Sequence, residues 1–287
     1  MKSPHSLSIA VLRAAIPALM AGSLHAALIA YEDFDYGGGA NLTTETSNNG
    51  SGWTAAWATT GVNGLVTSGS GQSLYFDQSP SLTVDGSTHV FSESSRGNER
   101  DFTTTVDLAT ETFYFTALVR DYGGGAGVAQ MRANFFDGAG ATGNMRANIG
   151  IDGGTLFVDG NTAGYGVGDT QAGAFVTNTT YLLAMKRTGS SIFGALIPAD
   201  GNSATLAAEP VWQVQDNVAS GVDLTSIRLL TNSTDPDNGA GIRIDELRLA
   251  TDWDSAVNGL VIPEPSSAAL LGFGGLLLAA RRRRHAA

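Results

Sequence analysis

Eleven runs of strand length recur along the middle of the chain, and each is alternating or wholly apolar. Clusters of Gly, Asn and Asp separate the runs, which lie at 28–36, 73–77, 100–108, 111–121, 130–136, 145–151, 155–158, 181–187, 191–197, 226–231 and 241–250. Short runs with turn residues between them are typical of an antiparallel β-sandwich. The 37 glycines among 287 residues agree, because glycine costs about 1 kcal/mol inside a helix but favours turns. We therefore predict one all-β domain, a sandwich or jelly roll, over residues 28–257.

Local signals predict three details of this domain. Gly153 and Gly154 follow an Asp between two runs, and Gly189 precedes a Ser between two others, so both places predict tight hairpins. The closing run changes phase, since Ile242 and Ile244 have one parity and Leu247 and Leu249 the other. One extra residue at Asp245 and Glu246, a β-bulge, would return all four aliphatic side chains to the core.

Residues 1–27 are typical of a secretory signal peptide. They begin with Lys2, continue through an apolar stretch that Arg13 interrupts, and end on small residues that include Ala26 and Ala27. This order predicts export with cleavage near Ala26 or Ala27. A buried N-terminal helix is the alternative.

The last thirty residues, 258–287, have three parts in a fixed order. An apolar segment at 266–280 stands between a Pro-Glu-Pro triplet and a basic run, which are Pro263, Glu264 and Pro265 and then Arg281, Arg282, Arg283 and Arg284. Fifteen residues extend about 22 Å as a helix, less than a hydrocarbon core of about 30 Å. The arginines would hold their end of the segment on the cytoplasmic side of the membrane.

The triplet, apolar segment and arginine run resemble the PEP-CTERM sorting signal of Gram-negative bacteria. The resemblance implies that the triplet is recognised by a membrane-embedded exosortase, which removes the tail after transient anchoring in the inner membrane. It predicts delivery to the cell surface or the extracellular space. A plain tail anchor is the alternative, but it gives the triplet no role.

Between the two ends the chain is strongly acidic. Residues 28–262 hold one Lys and nine Arg against 26 Asp and Glu, a net charge near −16. This charge repels phosphate backbones, so nucleic acid is not an expected partner. The chain has no cysteine, so no disulfide stabilises the domain.

The arrangement of the runs resembles a concanavalin A-like, laminin-G-type jelly roll. The features that carry the resemblance are the opening run at 29–36, the early Gly52 and Trp53, the central hairpins and the closing run at 242–249. The resemblance implies that the first and last strands lie side by side. Carbohydrate binding is the commonest role of that fold, followed by glycoside hydrolysis and protein adhesion, and the fold alone does not choose among them.

Jelly rolls of this type often hold a structural Ca²⁺ where the first and last strands meet. Glu32, Asp35 and Asp245 are the candidate ligands by position, because Ca²⁺ prefers oxygen ligands. Solvated or hydrogen-bonded carboxylates are the alternative.

A four-residue sequence, Met-Arg-Ala-Asn, occurs at 131–134 and again at 145–148. Strand alternation predicts that Arg132, Asn134, Arg146 and Asn148 share one polar face of an antiparallel pair. Guanidinium and amide groups suit sugar hydroxyls and uronate carboxylates, so the face predicts binding of an acidic polysaccharide. A solvated polar face is the alternative.

Aromatic side chains could also stack on sugar rings. Among them Trp57 and Tyr122 are the predicted exposed candidates, Trp57 because it lies in an Ala-, Gly- and Thr-rich region.

The sequence lacks the usual catalytic spacings. Retaining glucanases of this fold carry an acid and a nucleophile on one strand, facing the same groove about 5 Å apart. Asp245 and Glu246 are adjacent and would face opposite sides, and His89 is the one histidine between the two ends. We therefore predict a non-catalytic protein that binds glycan or has a structural role in exopolysaccharide. A glycoside hydrolase or lyase, and a protein-binding adhesin, are the alternatives.

Overall fold

The fold is described from a computed structural model of the chain. The structure describes residues 28–34, 36, 42, 50–59, 66–67, 74, 76, 90–91, 96–123, 130–139, 144–160, 168–199, 203–218, 223–232 and 242–257. Several predicted residues lie outside this part, namely Ala26, Ala27, Asp35, Pro263, Glu264, Pro265, Arg281, Arg282, Arg283 and Arg284. Within it, no helix has the length and apolar character needed to cross a membrane.

Most of the described residues lie in β-strands. In chain order the strands are β1 (Leu28–Glu32), β2 (Ala58–Thr59), β3 (Val66–Thr67), β4 (Val90–Phe91), β5 (Arg96–Asp107), β6 (Phe113–Asp121), β7 (Gln130–Phe136), β8 (Met145–Asp152), β9 (Thr155–Asp159), β10 (Asp169–Gln171), β11 (Thr180–Thr188), β12 (Ser191–Pro198), β13 (Val214–Asn217), β14 (Asp223–Asn232) and β15 (Ile242–Ala250). A 3₁₀ turn, Ser203–Leu206, precedes β13, and a short helix, α1 (Trp253–Val257), follows β15.

These strands form two antiparallel sheets. The first sheet has the order β13-β12-β11-β6-β15-β4-β3, with β1 also paired to β15, and the second has the order β10-β9-β8-β7-β14-β5-β2. Apolar side chains from both sheets meet in one core between them. The predicted jelly-roll β-sandwich is therefore confirmed.

The first and last strands are neighbours, as the resemblance implies. Ala30 lies opposite Leu249, and Glu32 lies opposite Leu247. Along the other edge of β15, the register advances three residues, from Asp245 to Arg248, while β6 advances only two. This is the predicted bulge, and Glu246 within it has a φ of 50°.

Both predicted hairpins are present. Asp152 pairs with Thr155 across Gly153 and Gly154, whose φ angles are 56° and 87°, as a type I′ turn requires. Thr188 pairs with Ser191 across the second turn. The predicted strand at 73–77 is not one at its two described residues, Leu74 and Phe76.

Leu74 and Phe76 instead belong to a second apolar cluster on the outer face of the first sheet. There Trp253 and Ala256 of α1, together with Leu206, cover strand residues such as Leu118 and Leu182. Much of the first sheet is thus buried on both faces.

Candidate functional site

The Met-Arg-Ala-Asn repeat lies on β7 and β8, which are antiparallel neighbours as predicted. Asn134 and Asn148 lie directly opposite each other, but Arg132 lies opposite Gly150. Antiparallel pairing reverses one copy of the repeat, so the two arginines fall at opposite ends of the asparagine pair. A register shift between Met145 and Ala147 also breaks the alternation at Arg146. Arg132, Asn134 and Asn148 thus share one face as predicted, but Arg146 does not complete the row.

Burial also removes this face as an open sugar site. Asn134 is 1% exposed and Asn148 is fully buried. Arg146 donates from Nε and Nη2 to Asp137 at 2.8 and 2.5 Å. Burial alone would raise the pKa of Asp137, but hydrogen bonds from Arg146 and Asn144 lower it. The guanidinium of Arg146 is thus engaged in an ion pair with Asp137.

Trp57 is a core residue, contrary to its predicted exposure. It is 3% exposed, and its ring lies 6.0 Å from that of Phe34 and 5.8 Å from that of Trp53. Its Nε1 donates to Glu32 at 3.0 Å. Phe34 comes from a distant segment, which the local Ala-rich sequence does not reveal.

Glu32 accepts hydrogen bonds on both carboxylate oxygens. Oε1 accepts from the Phe34 amide at 2.9 Å, and Oε2 accepts from Trp57 and from the Tyr36 hydroxyl, each at 3.0 Å. Oε2 also forms an ion pair with Arg100, so the pair joins β1 of the first sheet to β5 of the second. Burial raises the pKa of Glu32 to about 7, although Arg100 opposes the shift.

Asp245 is fully buried and holds the bulge in place. Its Oδ2 accepts from the Leu74 amide and its Oδ1 from the Glu246 amide, both at 2.9 Å. In the described part of the chain, no group of three or more His, Cys, Asp or Glu side chains could hold a metal ion. Because protein donors occupy Glu32 and Asp245, these residues do not fit the predicted calcium site.

Three buried carboxyl groups predict how stability depends on pH. Burial raises the pKa of Glu32, of Asp245 and of Glu246, the last despite hydrogen bonds from Tyr31 and Arg248. A raised pKa means that the folded state binds the proton more tightly, so the stabilisation is complete below the ordinary pKa and is lost as pH rises. For Glu32 the loss falls between pH 4.5 and about 7.

We therefore expect a larger free energy of unfolding at pH 5 than at pH 7.5, measured by urea unfolding at constant ionic strength. Glu32→Gln should show a smaller difference between the two pH values, because one titrating group is gone. Equal or greater stability at pH 7.5 in the parent would contradict this reading of the three groups.

Tyr122 is half-buried and contacts two guanidinium groups. The Cζ atom of Arg243 lies 3.8 Å from its ring centroid and that of Arg120 lies 4.7 Å away. Tyr122 is therefore not the free stacking ring that the sequence predicts.

A different aromatic surface lies at one end of the outer face of the first sheet. One row of side chains crosses four neighbouring strands there. From β13 through β12 and β11 to β6, its members are Gln215, Phe193, Lys186 and Tyr114, and each lies opposite the next. Trp212 packs over this row, with its ring 6.2 Å from that of Phe193. We call the half-buried Phe193, Lys186 and Trp212, with the exposed Glu209 and Gln215, the Trp212 patch.

Charged groups fix the geometry of the Trp212 patch. Glu209 accepts from Lys186 Nζ at 2.9 and 2.8 Å and from Trp212 Nε1 at 3.2 Å. The Tyr114 hydroxyl also donates to Glu209. Burial alone would raise the pKa of Glu209, but the hydrogen bonds from Lys186, Tyr114 and Trp212 lower it, so Glu209 stays ionised.

Sequence reasoning missed most of this patch. One signal was present: Lys186 is the one lysine between residues 28 and 262, and it interrupts an apolar strand. Phe193 and Glu209 gave no comparable signal, because their meeting depends on strand register and on the loop that precedes β13.

Comparison with known proteins identifies the C-terminal segment. Residues 261–284 match the family model of the PEP-CTERM protein-sorting motif. This match confirms the resemblance and indicates an exported protein that an exosortase processes and that reaches the cell surface or is secreted. No curated protein sequence matches the chain.

Solved structures resemble the domain at low sequence identity. The T. cruzi calreticulin globular domain has a TM-score of 0.51 and 10% identity, with 81% of this chain and 93% of that chain covered. A carbohydrate-binding module from Bacillus subtilis has a TM-score of 0.41 and 12% identity, with coverages of 68% and 94%. The Ca²⁺-bound exoplasmic/lumenal domain of VIP36 has a TM-score of 0.42 and 11% identity, with coverages of 74% and 88%.

The calreticulin likeness concerns the fold, and it agrees with the two-sheet topology. The chain is therefore a jelly-roll β-sandwich that carries a PEP-CTERM protein-sorting motif at its C-terminus.

Proposed function

We propose that the exported β-sandwich is a non-catalytic glycan-binding domain and that the Trp212 patch is its sugar contact. The observation that carries the proposal is the placement of two half-buried aromatic rings, Phe193 and Trp212, beside a fixed Lys186–Glu209 ion pair. A pyranose has an apolar face and a rim of hydroxyls. The rings suit that face, and the ammonium and carboxylate suit the hydroxyls as donor and acceptor.

Rigidity of the patch favours binding. Trp212 is held from one side by Trp253, whose ring lies 6.2 Å away and nearly perpendicular, and its Nε1 is tied to Glu209. A platform fixed before the ligand arrives loses little side-chain entropy on binding. Val211, the preceding residue, is 91% exposed, so it adds no such support.

The direction of the pKa shifts favours a binding role over glycoside hydrolysis. A general acid needs a raised pKa, whereas the pKa of Glu209 is lowered. In the part of the chain that the structure describes, the carboxyl groups with raised pKa values, Glu32, Asp245 and Glu246, are buried, where a bound polysaccharide does not reach them.

We expect Trp212→Ala to weaken binding of the preferred glycan roughly 10- to 30-fold, since a central aromatic contact contributes about 2 kcal/mol. The parent is first screened on a glycan array, and the best ligand is then titrated by calorimetry against both proteins. Val211→Ala is the matched control, because it shortens an exposed neighbour without touching the rings. Its affinity should equal that of the parent.

Two results would overturn the proposal. Equal affinity of Trp212→Ala and the parent, with equal melting temperatures, would remove the patch as the sugar contact. Shortening of the glycan by the parent, seen as new reducing ends or unsaturated products, would make the protein a hydrolase or a lyase instead.

A further inference from the structure

Two arginines lie directly opposite each other at the other end of the first sheet. Arg120 of β6 and Arg243 of β15 are cross-strand partners. Arg120 has the parity of the outer-face residues Tyr114 and Leu118, which belong to the outer apolar cluster, and Arg243 lies on the same face because it is paired with Arg120. Like charges placed opposite each other in a sheet are destabilising. This domain has nine arginines between residues 28 and 262, so the adjacency of two of them needs a physical reason.

Tyr122 holds the two guanidinium groups in place. They lie 4.7 Å (Arg120) and 3.8 Å (Arg243) from the centroid of its ring. Stacking on an aromatic ring uses the face of a guanidinium and leaves its N–H edge for an acceptor. Burial lowers the pKa of Arg243, its charge interaction and hydrogen bond with Tyr122 raise it, and the charge of Arg120 lowers it again.

The described part of the chain supplies no carboxylate for Arg120. Its Nε is buried without a hydrogen-bond partner there, whereas four other arginines each form an ion pair with a carboxylate, namely Arg100, Arg146, Arg228 and Arg248. Asp245 is on the same face two residues from Arg243, but backbone amides occupy both of its oxygens. Asp121 accepts from the Gly123 amide and from the Thr177 hydroxyl.

We propose that Arg120 and Arg243 form a binding site for an oxyanion, and that the anion is a carboxylate or sulfate ester of an acidic polysaccharide. A planar guanidinium matches either group with two parallel hydrogen bonds. A bound anion would also relieve the repulsion between the two cations. The site is separate from the Trp212 patch, because Tyr114 and Arg120 are six residues apart on one strand, about 20 Å, so it does not depend on the function proposed for that patch.

The test compares three soluble polymers, polygalacturonate, dextran sulfate and uncharged dextran, by affinity electrophoresis of the full-length protein at two salt concentrations. The parent should be retarded by one or both acidic polymers more than by dextran, and less so at high salt. Retardation by polygalacturonate alone assigns a carboxylate, and retardation by dextran sulfate alone assigns a sulfate ester.

Arg120→Gln should reduce binding of the acidic polymer at least tenfold without lowering the melting temperature, because it removes the repulsion as well as the donor. Arg120→Lys should bind at an intermediate level, since it keeps the charge and loses the fork. Arg228→Gln is the matched control for net charge, because Arg228 already has Glu99 as its partner, and it should bind like the parent. Trp212→Ala should keep the preference for acidic polymers over dextran.

A second readout avoids dependence on polymer length. Millimolar galacturonate or sulfate should raise the melting temperature of the parent and not that of Arg120→Gln. Equal binding by the parent and Arg120→Gln, an equal loss in Arg228→Gln, or no preference of the parent for acidic polymers would each overturn the proposal.

Discussion

Replacing Arg100 with Ala should lower the free energy of unfolding by about 3–5 kcal/mol, the usual cost of breaking a buried ion pair from one side. The change leaves Glu32 fully buried without its cation. It also removes a donor to the Ala55 carbonyl at 2.7 Å and a guanidinium 4.9 Å from the Trp53 ring centroid. Urea unfolding at pH 7.5 measures the effect. The loss of the cation matters most there, because that pH lies above the Glu32 pKa of about 7.

Arg228→Ala is the matched control for this change. Arg228 pairs with Glu99 of β5, the same strand that carries Arg100, but that ion pair is partly exposed. Exposed ion pairs contribute about 0–1 kcal/mol, so this variant should stay close to the parent. In the double variant Glu32→Gln with Arg100→Met, part of the lost stability should return, because no unpaired charge remains. Similar losses in Arg100→Ala and Arg228→Ala would refute the central role of the Glu32–Arg100 pair.

Gly52→Ala should cost about 3 kcal/mol or more, from a left-handed backbone and from overpacking together. Gly52 has a φ of 82°, and an added Cβ would overlap the carbonyl oxygen of Ile29 on β1. The segment cannot move aside easily, because Tyr31 and Ser51 exchange backbone hydrogen bonds at 2.9 Å and the Thr103 amide donates to the Gly52 carbonyl.

Gly173→Ala separates the two causes. Gly173 has a similar φ of 70°, but no atom lies within 4 Å of an added Cβ. This variant should lose only the conformational cost, about 1–2 kcal/mol. Thermal or urea unfolding of both variants gives the difference, and equal losses would show that contact with β1 plays no part at Gly52.

Much of the fold could be predicted because its signals are local. In the closing run, four aliphatic residues show the change of phase, and this change predicted the bulge at Asp245 and Glu246. Edge strands were harder to predict. Strand β10, Asp169–Gln171, is exposed at all three residues and pairs with β9 through its backbone, so its side chains show no apolar alternation.

The candidate site could not be predicted in the same way, because it depends on how distant segments meet. The repeated Met-Arg-Ala-Asn sequence suggested equivalent arginines, but antiparallel pairing makes only the asparagines opposite. Trp57 has only small alanines beside it in the sequence, yet Glu32 and Arg100 come from two other strands to contact it. The Trp212 patch likewise joins β11, β12 and the segment before β13, and no single stretch of sequence contains it.

The position of β15 determines when the domain can be completed. This strand lies inside the first sheet, with β6 on one side and β1 and β4 on the other. A ribosome makes it after every other strand described here, so the growing chain has β6 with one unpaired edge until residue 242 and its successors arrive. Unpaired strand edges recruit other chains. Closure of the sheet thus requires the last strand of the domain, and a chain that stops before β15 keeps an open, association-prone edge at the centre of its fold.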